Sequence, residues 1–201
     1  MRNIKLSLIM ILSLILASFA FASDKYMFDK AHTNIGFTVK HLVISNIHGE
    51  FKDYDGVIIY DPEDITKSSV NITIKVASIS TDNQKRDNHL KSPDFFNAKK
   101  YPEITFKSTK ISKTADGFAA TGDLTIHGVT KEVTFPFTLS GPITGPMGHE
   151  RIGASANLTI NRQDYGVSWN RKLDTGGLVV SDDVRINLEV EGMKAMKAGT
   201  N

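Results

Sequence analysis

Apolar and polar residues alternate with a period of two along most of the chain, the pattern of strands with one buried and one solvated face. Ile35, Phe37 and Val39 alternate with Gly36, Thr38 and Lys40, and Val70, Ile72, Ile74 and Val76 with Asn71, Thr73 and Lys75. The same holds from Phe118 to Ile126, along Ile152, Ala154, Ala156, Leu158 and Ile160, and along Val184, Ile186, Leu188 and Val190. Shorter β-like runs occur at Val57 to Tyr60 and Ile104 to Phe106, and a longer one spans Val129 to Leu139. Pro136 lies inside that last run. It cannot donate to a ladder, which predicts an edge or a bulge there.

The connectors have the chemistry of hairpins. His127-Gly128 separates two runs at tight-turn spacing, Asp116-Gly117 precedes another strand, and Gly141 to Gly148 reads as a Gly/Pro-rich loop. Antiparallel pairing follows. Helix is scarce: the best candidate starts at Thr81, where Thr81 and Gln84 have capping-box spacing, and runs to about Lys91, before Pro93. It is polar nearly all round and is expected to cover an opening rather than anchor a core. The fold class is all-β, with about eight antiparallel strands, and alternation alone does not choose between barrel and sandwich. Ala120, Gly122, Ala154 and Ala156 fall on faces that should point inward, where small side chains either leave a lumen or admit a bulky neighbour.

The amino terminus breaks the alternation. Arg2 and Lys5 are followed by an apolar run from Leu6 to Ala17 and then by Ala20-Phe21-Ala22, the form of a cleavable secretory signal peptide over residues 1–22. The run is shorter than the roughly 20 residues of a spanning helix, so residues 23–201 are expected to be an exported, soluble domain without stable membrane insertion. The chain carries 24 Lys and Arg against 22 Asp and Glu, and removal of Arg2 and Lys5 leaves 22 of each. A formally neutral domain lacks the clustered cationic charge that nucleic acid requires, and no nucleic-acid partner is expected. With no cysteine in the chain, disulfides, thiolate-held metals and thiol nucleophiles are excluded.

Catalytic signatures are weak. Gly153-Ala154-Ser155-Ala156-Asn157 resembles a nucleophile elbow but lacks the closing Gly and sits within an alternating run. The histidines show no pair at i,i+4 spacing; His32, His41 and His48 at strand ends are better read as structural groups, and no metal or cofactor is expected. Arg86 and His89 would share a helix face as a polar rim for an anionic or carbonyl head group. Asn161 to Gly166 forms a second polar cluster, in which Arg162 and Asp164 would pin a turn. Ser168-Trp169-Asn170-Arg171 sets the single Trp beside polar groups, as at a cavity entrance.

Asp29-Lys30-Ala31-His32-Thr33-Asn34-Ile35-Gly36-Phe37 through Leu42, Arg86-Asp87 to Ser92-Pro93-Asp94-Phe95-Phe96, and Tyr101-Pro102-Glu103-Ile104-Thr105-Phe106 resemble, in order, motifs of the YceI family. Leu124 to Lys131, Asn161-Arg162 through Asp164-Tyr165-Gly166 and Asp182-Asp183-Val184 continue the likeness, with Tyr165 where members often carry Phe. The resemblance implies an extended, lipocalin-like β-barrel in the periplasm. It also implies a long apolar ligand in the lumen, of the polyprenyl phosphate, isoprenoid quinone or fatty amide kind, carried without covalent catalysis. A tail of about 15 methylenes gains around 12 kcal/mol gross on burial, whereas an exposed charge contact gives about 0.2 to 1 kcal/mol. Affinity is therefore expected from the lumen, for which alternation nominates Phe37, Val39, Ile72, Ile74, Phe106, Leu124, Phe135, Phe137, Leu158 and Trp169. Arg86, His89 and Arg171 would set orientation at the rim. The competing expectations are a hydrolase or isomerase acting on a hydrophobic substrate with His89 or His32 as base, and an interaction module using an exposed strand edge. A homodimer is compatible with either.

Overall fold

The computed structural model describes residues 23–171 and 178–196, so the signal-like segment 1–22 lies outside the described residues. The strands are β1 (Asp24–Phe28), β2 (Asn34–His41), β3 (Ser45–Phe51), β4 (Tyr54–Tyr60), β5 (Ser69–Lys75) and β6 (Ile79–Ser80). A helix, α1 (Gln84–Lys91), intervenes before β7 (Glu103–Thr114), β8 (Gly117–Ile126), β9 (Val129–Thr144), β10 (Glu150–Asn161) and β11 (Val180–Lys194). The order β1-β4-β5-β7-β8-β9-β10-β11 closes through β1 onto β11, giving an eight-stranded antiparallel barrel. Closure decides between barrel and sandwich, and it depends on the two ends of the domain. Phe28 opposes Gly192 and Tyr26 opposes Lys194, and Tyr26 is fully buried.

β11 serves two neighbours. Its last residues, Gly192 to Lys194, pair with β1, while Val180 to Glu189 pair with β2, and β3 and then β6 extend that leaf. The β2–β3 hairpin therefore rises along one side of the upper end, the end that also carries the His127-Gly128 turn and α1. Both turn residues have positive φ, 52° and 76°, the geometry that a two-residue hairpin needs. The Tyr101 ring lies 2.5 Å from where a Cβ at Gly128 would stand.

Three local expectations are revised. β9 continues through Gly141 and Pro142 to Thr144, with Gly141 at φ +93° opposite the irregularity between Arg151 and Gly153, so the loop is shorter than its Gly and Pro content suggests. Helix α1 is capped by Asn83, whose Oδ1 accepts from the Arg86 N–H at 3.0 Å, and not by Thr81. Thr81 is buried, its N–H and hydroxyl both donate to Asp87 Oδ1, at 2.9 and 2.5 Å, and its Oγ1 accepts from the Arg86 side chain instead of a helix N–H. Arg162 pairs with Asp182 (3.1 Å), and Asp164 with Lys131 (3.5 Å), because Arg162 turns inward. Pro136 pairs with Ala119 of β8, while the β10 ladder reaches only Phe137, so the proline stands where β9 has a neighbour on one side.

Inward positions carry the apolar residues, and outward ones carry Lys107, Asp123, Glu132, Arg185 and Glu189. A lipid-facing barrel wall would instead carry an apolar belt. Among the described residues, no helix is long and apolar enough to cross a membrane.

Candidate ligand-binding site

The barrel interior holds two apolar chambers in line, an upper one of about 150 Å³ and a lower one of about 90 Å³. Period-two alternation aims one face of every strand at the axis, and these faces make the walls. Phe37 and Val39 of β2, Ile72 and Ile74 of β5, Phe106 of β7, Leu124 of β8, Phe135 of β9 and Leu158 of β10 all line the upper chamber. Phe137 lines the lower one. Ile72, Phe106, Phe135 and Leu188 border both, and the Phe106 and Phe135 rings, 5.3 Å apart, form the partition.

The small inward residues divide by cause. Ala120, Ala154 and Ala156 line the lower chamber and make its space. Gly122 lines neither chamber: a Cβ there would stand 2.4 Å from Lys107 O, 2.7 Å from Ser108 Cα and 2.8 Å from the Phe106 ring. It is small because β7 bulges against it between Ser108 and Lys110.

The upper chamber is roofed by α1 and the turn after it, with Leu90, Phe95 and Phe96 on its lining. Trp169 is half-buried and packs on this roof, 5.0 Å from Phe95 and 5.2 Å from His89, without lining the chamber. The rim side chains are placed differently from the sequence expectation. Arg86 folds back on its own segment, Nε donating to Thr81 Oγ1 (2.7 Å) and Nη2 to Thr81 O (2.8 Å). His89 contacts Asp94 at 2.8 Å and stands edge-on to Phe95. Arg171 is exposed, and its main chain bonds Asn170 and Val179. None of the three lines either chamber.

Arg162, read as a turn residue from sequence, is among the described residues the one charged side chain on the upper lining. It is 6 % exposed, and its guanidinium donates to the carbonyls of Val167 (2.6 Å), Trp169 (2.9 Å) and Ser181 (2.9 Å) and to Asp182. Burial holds its pKa below the ordinary value, with Asp182 opposing the shift. Burial likewise raises that of Tyr165 beside it. The signal for Arg162 was the break in alternation where a charge follows Ile160-Asn161. The lining at Phe95, Phe96, Tyr165 and Val167 had no such signal, because these residues sit on irregular segments.

The lower end is closed by charge. Arg151 Nη1 donates to Asp29 at 2.6 Å and to Glu191, and it holds Asp29 down from the ordinary 3.8 to about 2. Asp29, His32 and Glu191 could offer ligand atoms within 4.8 Å of one another, but the Arg151 cation already bridges the two carboxylates. Nearby, Lys194 bonds Asp24 (2.6 Å) and Glu150 (3.0 Å), and the buried Tyr26 hydroxyl donates to Glu150.

A closed barrel with an apolar, roofed interior defines a class of small-molecule-enclosing protein. The family model described as "YceI-like domain" matches residues 26–192, and the chain belongs to the YceI family. A UPF0312 protein of Serratia proteamaculans is 40% identical over 184 residues, covering 90% of this chain and 92% of the relative. The crystal structure of a Campylobacter jejuni YceI protein superposes with a TM-score of 0.68 at 44% identity, over 84% of this chain and 96% of that one. A polyisoprenoid-binding domain from Saccharophagus degradans shares the fold with a TM-score of 0.61 at 13% identity, covering 86% of this chain and 99% of its own.

Proposed function

We propose that the chain is a periplasmic carrier that holds the tail of a long isoprenoid or acyl amphiphile in the two chambers and performs no covalent chemistry on it. The observation that carries this reading is the lining. Apart from Arg162 and Tyr165 above and Tyr60 and Ser69 below, the lining residues among those described bring no side-chain heteroatom to the interior. Arg162 has its donors committed to carbonyls and to Asp182, so it is poorly placed to move a proton. Such an interior rewards chain length and apolarity, at roughly 0.8 kcal/mol per methylene, and rewards little else. The shared fold of the Saccharophagus degradans domain, described as polyisoprenoid-binding, supports the same ligand class. The apolar segment before residue 23, with its Ala20-Phe21-Ala22 ending, supports export.

The test is organic extraction of the purified native protein followed by mass spectrometry. One amphiphile with a long isoprenoid or acyl tail is the expected finding. A protein that yields no lipid and takes up neither added quinone nor prenyl phosphate refutes the reading.

A further inference from the structure

The tip of the β2–β3 hairpin is apolar where a hairpin tip is ordinarily polar. Val43 is 62 % exposed and Ile44 85 %. The backbone there is also of a kind these residues disfavour: Leu42 and Val43 have φ of +52° and +66°, a region in which a β-branched side chain is rarely found and for which Asn-Gly is the usual solution. The turn is nonetheless held firmly. Ile44 N–H donates to His41 O at 3.2 Å, and Leu42 N–H donates to Val179 O at 2.8 Å. The apolar side chains are therefore presented outward from a fixed support rather than from a loose loop.

The position of the tip says what it meets. Val39, the last residue of β2 on the chamber lining, and Val180, which opposes His41, both line the upper chamber, so the tip continues the chamber wall out into solvent. Lys40 is the exposed charge beside it, and no acid occurs from Gly36 to Gly49; across the ladder, Asp183 is the exposed carboxylate. Two side chains at a tip fall well short of the roughly 1,000 Å² that a specific protein interface buries, whereas a bilayer accepts single apolar residues at its surface. The other exposed apolar turn, Ile143 and Met147, lies at the lower end, where Asp24, Asp29, Glu150, Arg151, Glu191 and Lys194 surround the closure.

We propose that the β2–β3 tip, with Val43 and Ile44 outermost, is the point at which the protein docks on a lipid bilayer to exchange cargo with the upper chamber. The inference rests on the carrier reading for its purpose, but its test separates the two. Retinol, a fluorescent isoprenoid alcohol, serves as cargo; phosphatidylcholine vesicles serve as donor and acceptor; and energy transfer from Trp169 reports occupancy. The transfer rate is expected to rise in proportion to vesicle concentration. The double variant Val43→Gly/Ile44→Asn removes both exposed apolar side chains, relieves the positive φ at Val43, and should transfer at least ten-fold more slowly, with an unchanged Kd for retinol. Met147→Ser should match the unaltered protein. A rate independent of vesicle concentration, or a double variant as fast as the unaltered protein, overturns the proposal. So does a protein that sediments as a dimer and becomes monomeric in the double variant, which would assign the tip to a second copy. If no retinol is taken up, flotation of the empty protein with the same vesicles decides docking, separately from the carrier reading. Flotation lost in the double variant supports it, and a protein that never floats refutes it.

Discussion

Replacing Ala156 by Phe tests whether the two chambers act as one tunnel. Ala156 lines the lower chamber, opposite Phe137 on β9 and Leu188 on β11, and a benzyl group there would fill most of a space of about 90 Å³. That space accommodates about three methylene-sized groups, which at roughly 0.8 kcal/mol each amount to about 2 kcal/mol, or ~30-fold in Kd. The loss should fall only on ligands long enough to pass the Phe106–Phe135 partition. A series of fatty alcohols of increasing length, titrated by Trp169 fluorescence, reads this directly. In the unaltered protein, affinity rises with each methylene to a plateau, and in Ala156→Phe the plateau arrives about three methylenes earlier, with short members unchanged. Overpacking itself costs about 1 to 3 kcal/mol of stability, which thermal unfolding measures separately. A uniform weakening across the series, or no change at any length, would refute the idea that the lower chamber receives the end of the tail.

Gly122→Ala should destabilise the barrel by about 2 kcal/mol or more, a fall in Tm of about 4 to 8 °C, because the added Cβ meets backbone that cannot step aside, while the chain-length plateau stays where it was. Arg162→Lys leaves the carbonyls of Val167 and Trp169 without their forked donor, so a loss of about 3 kcal/mol and a red shift of Trp169 emission are expected; unchanged emission would show that Arg162 does not hold that segment. Asp29 has a folded-state pKa of about 2 against 3.8, so its contribution is present above pH 4 and is lost as pH falls toward 2. The Tm advantage of the unaltered protein over Arg151→Gln should therefore shrink across that interval, and a gap constant with pH would contradict the assignment.

The walls were legible in the sequence because a strand tells its inward face from its outward one by period two, and closing the sheet does not alter that phase. Hence Phe37, Ile72, Phe106, Leu124, Phe135 and Leu158 stand where alternation put them. Three things were not legible. Closure rests on the β1–β11 pairing, between segments at opposite ends of the domain, which no local pattern reports. The cause of a small residue is also hidden: Ala156 and Gly122 look alike in an alternating run, yet one makes space and the other yields to a bulge. Arg86 and Arg162 were misplaced for one reason. A charged side chain in a polar stretch reads as exposed, whereas backbone carbonyls, invisible in sequence, draw Arg162 inward and fold Arg86 back on Thr81.

The same contrast between ladder and side chain distinguishes the roof from the wall. Except where β9 and β10 part above Phe137, the wall strands are zipped to their neighbours by main-chain hydrogen bonds, so parting β8 from β9 would expose a row of unpaired amides and carbonyls. The roof is built otherwise. Among the described residues, the hydrogen bonds made by residues 83–100 end within 81–101, as in Phe96 N–H to Leu90 O, Ala98 N–H to Lys91 O, and Arg86 and Asp87 to Thr81. What joins this unit to the rest is apolar and aromatic contact, Phe96 against Phe51 and Phe95 against Trp169, each aromatic pair contributing about 1 kcal/mol. Lifting the roof therefore strands no buried polar group, and an incoming hydrocarbon replaces the contacts that are lost with others of the same kind. A chamber whose wall is held by direction-sensitive bonds and whose roof is held by non-directional ones can admit a long apolar molecule without losing the barrel.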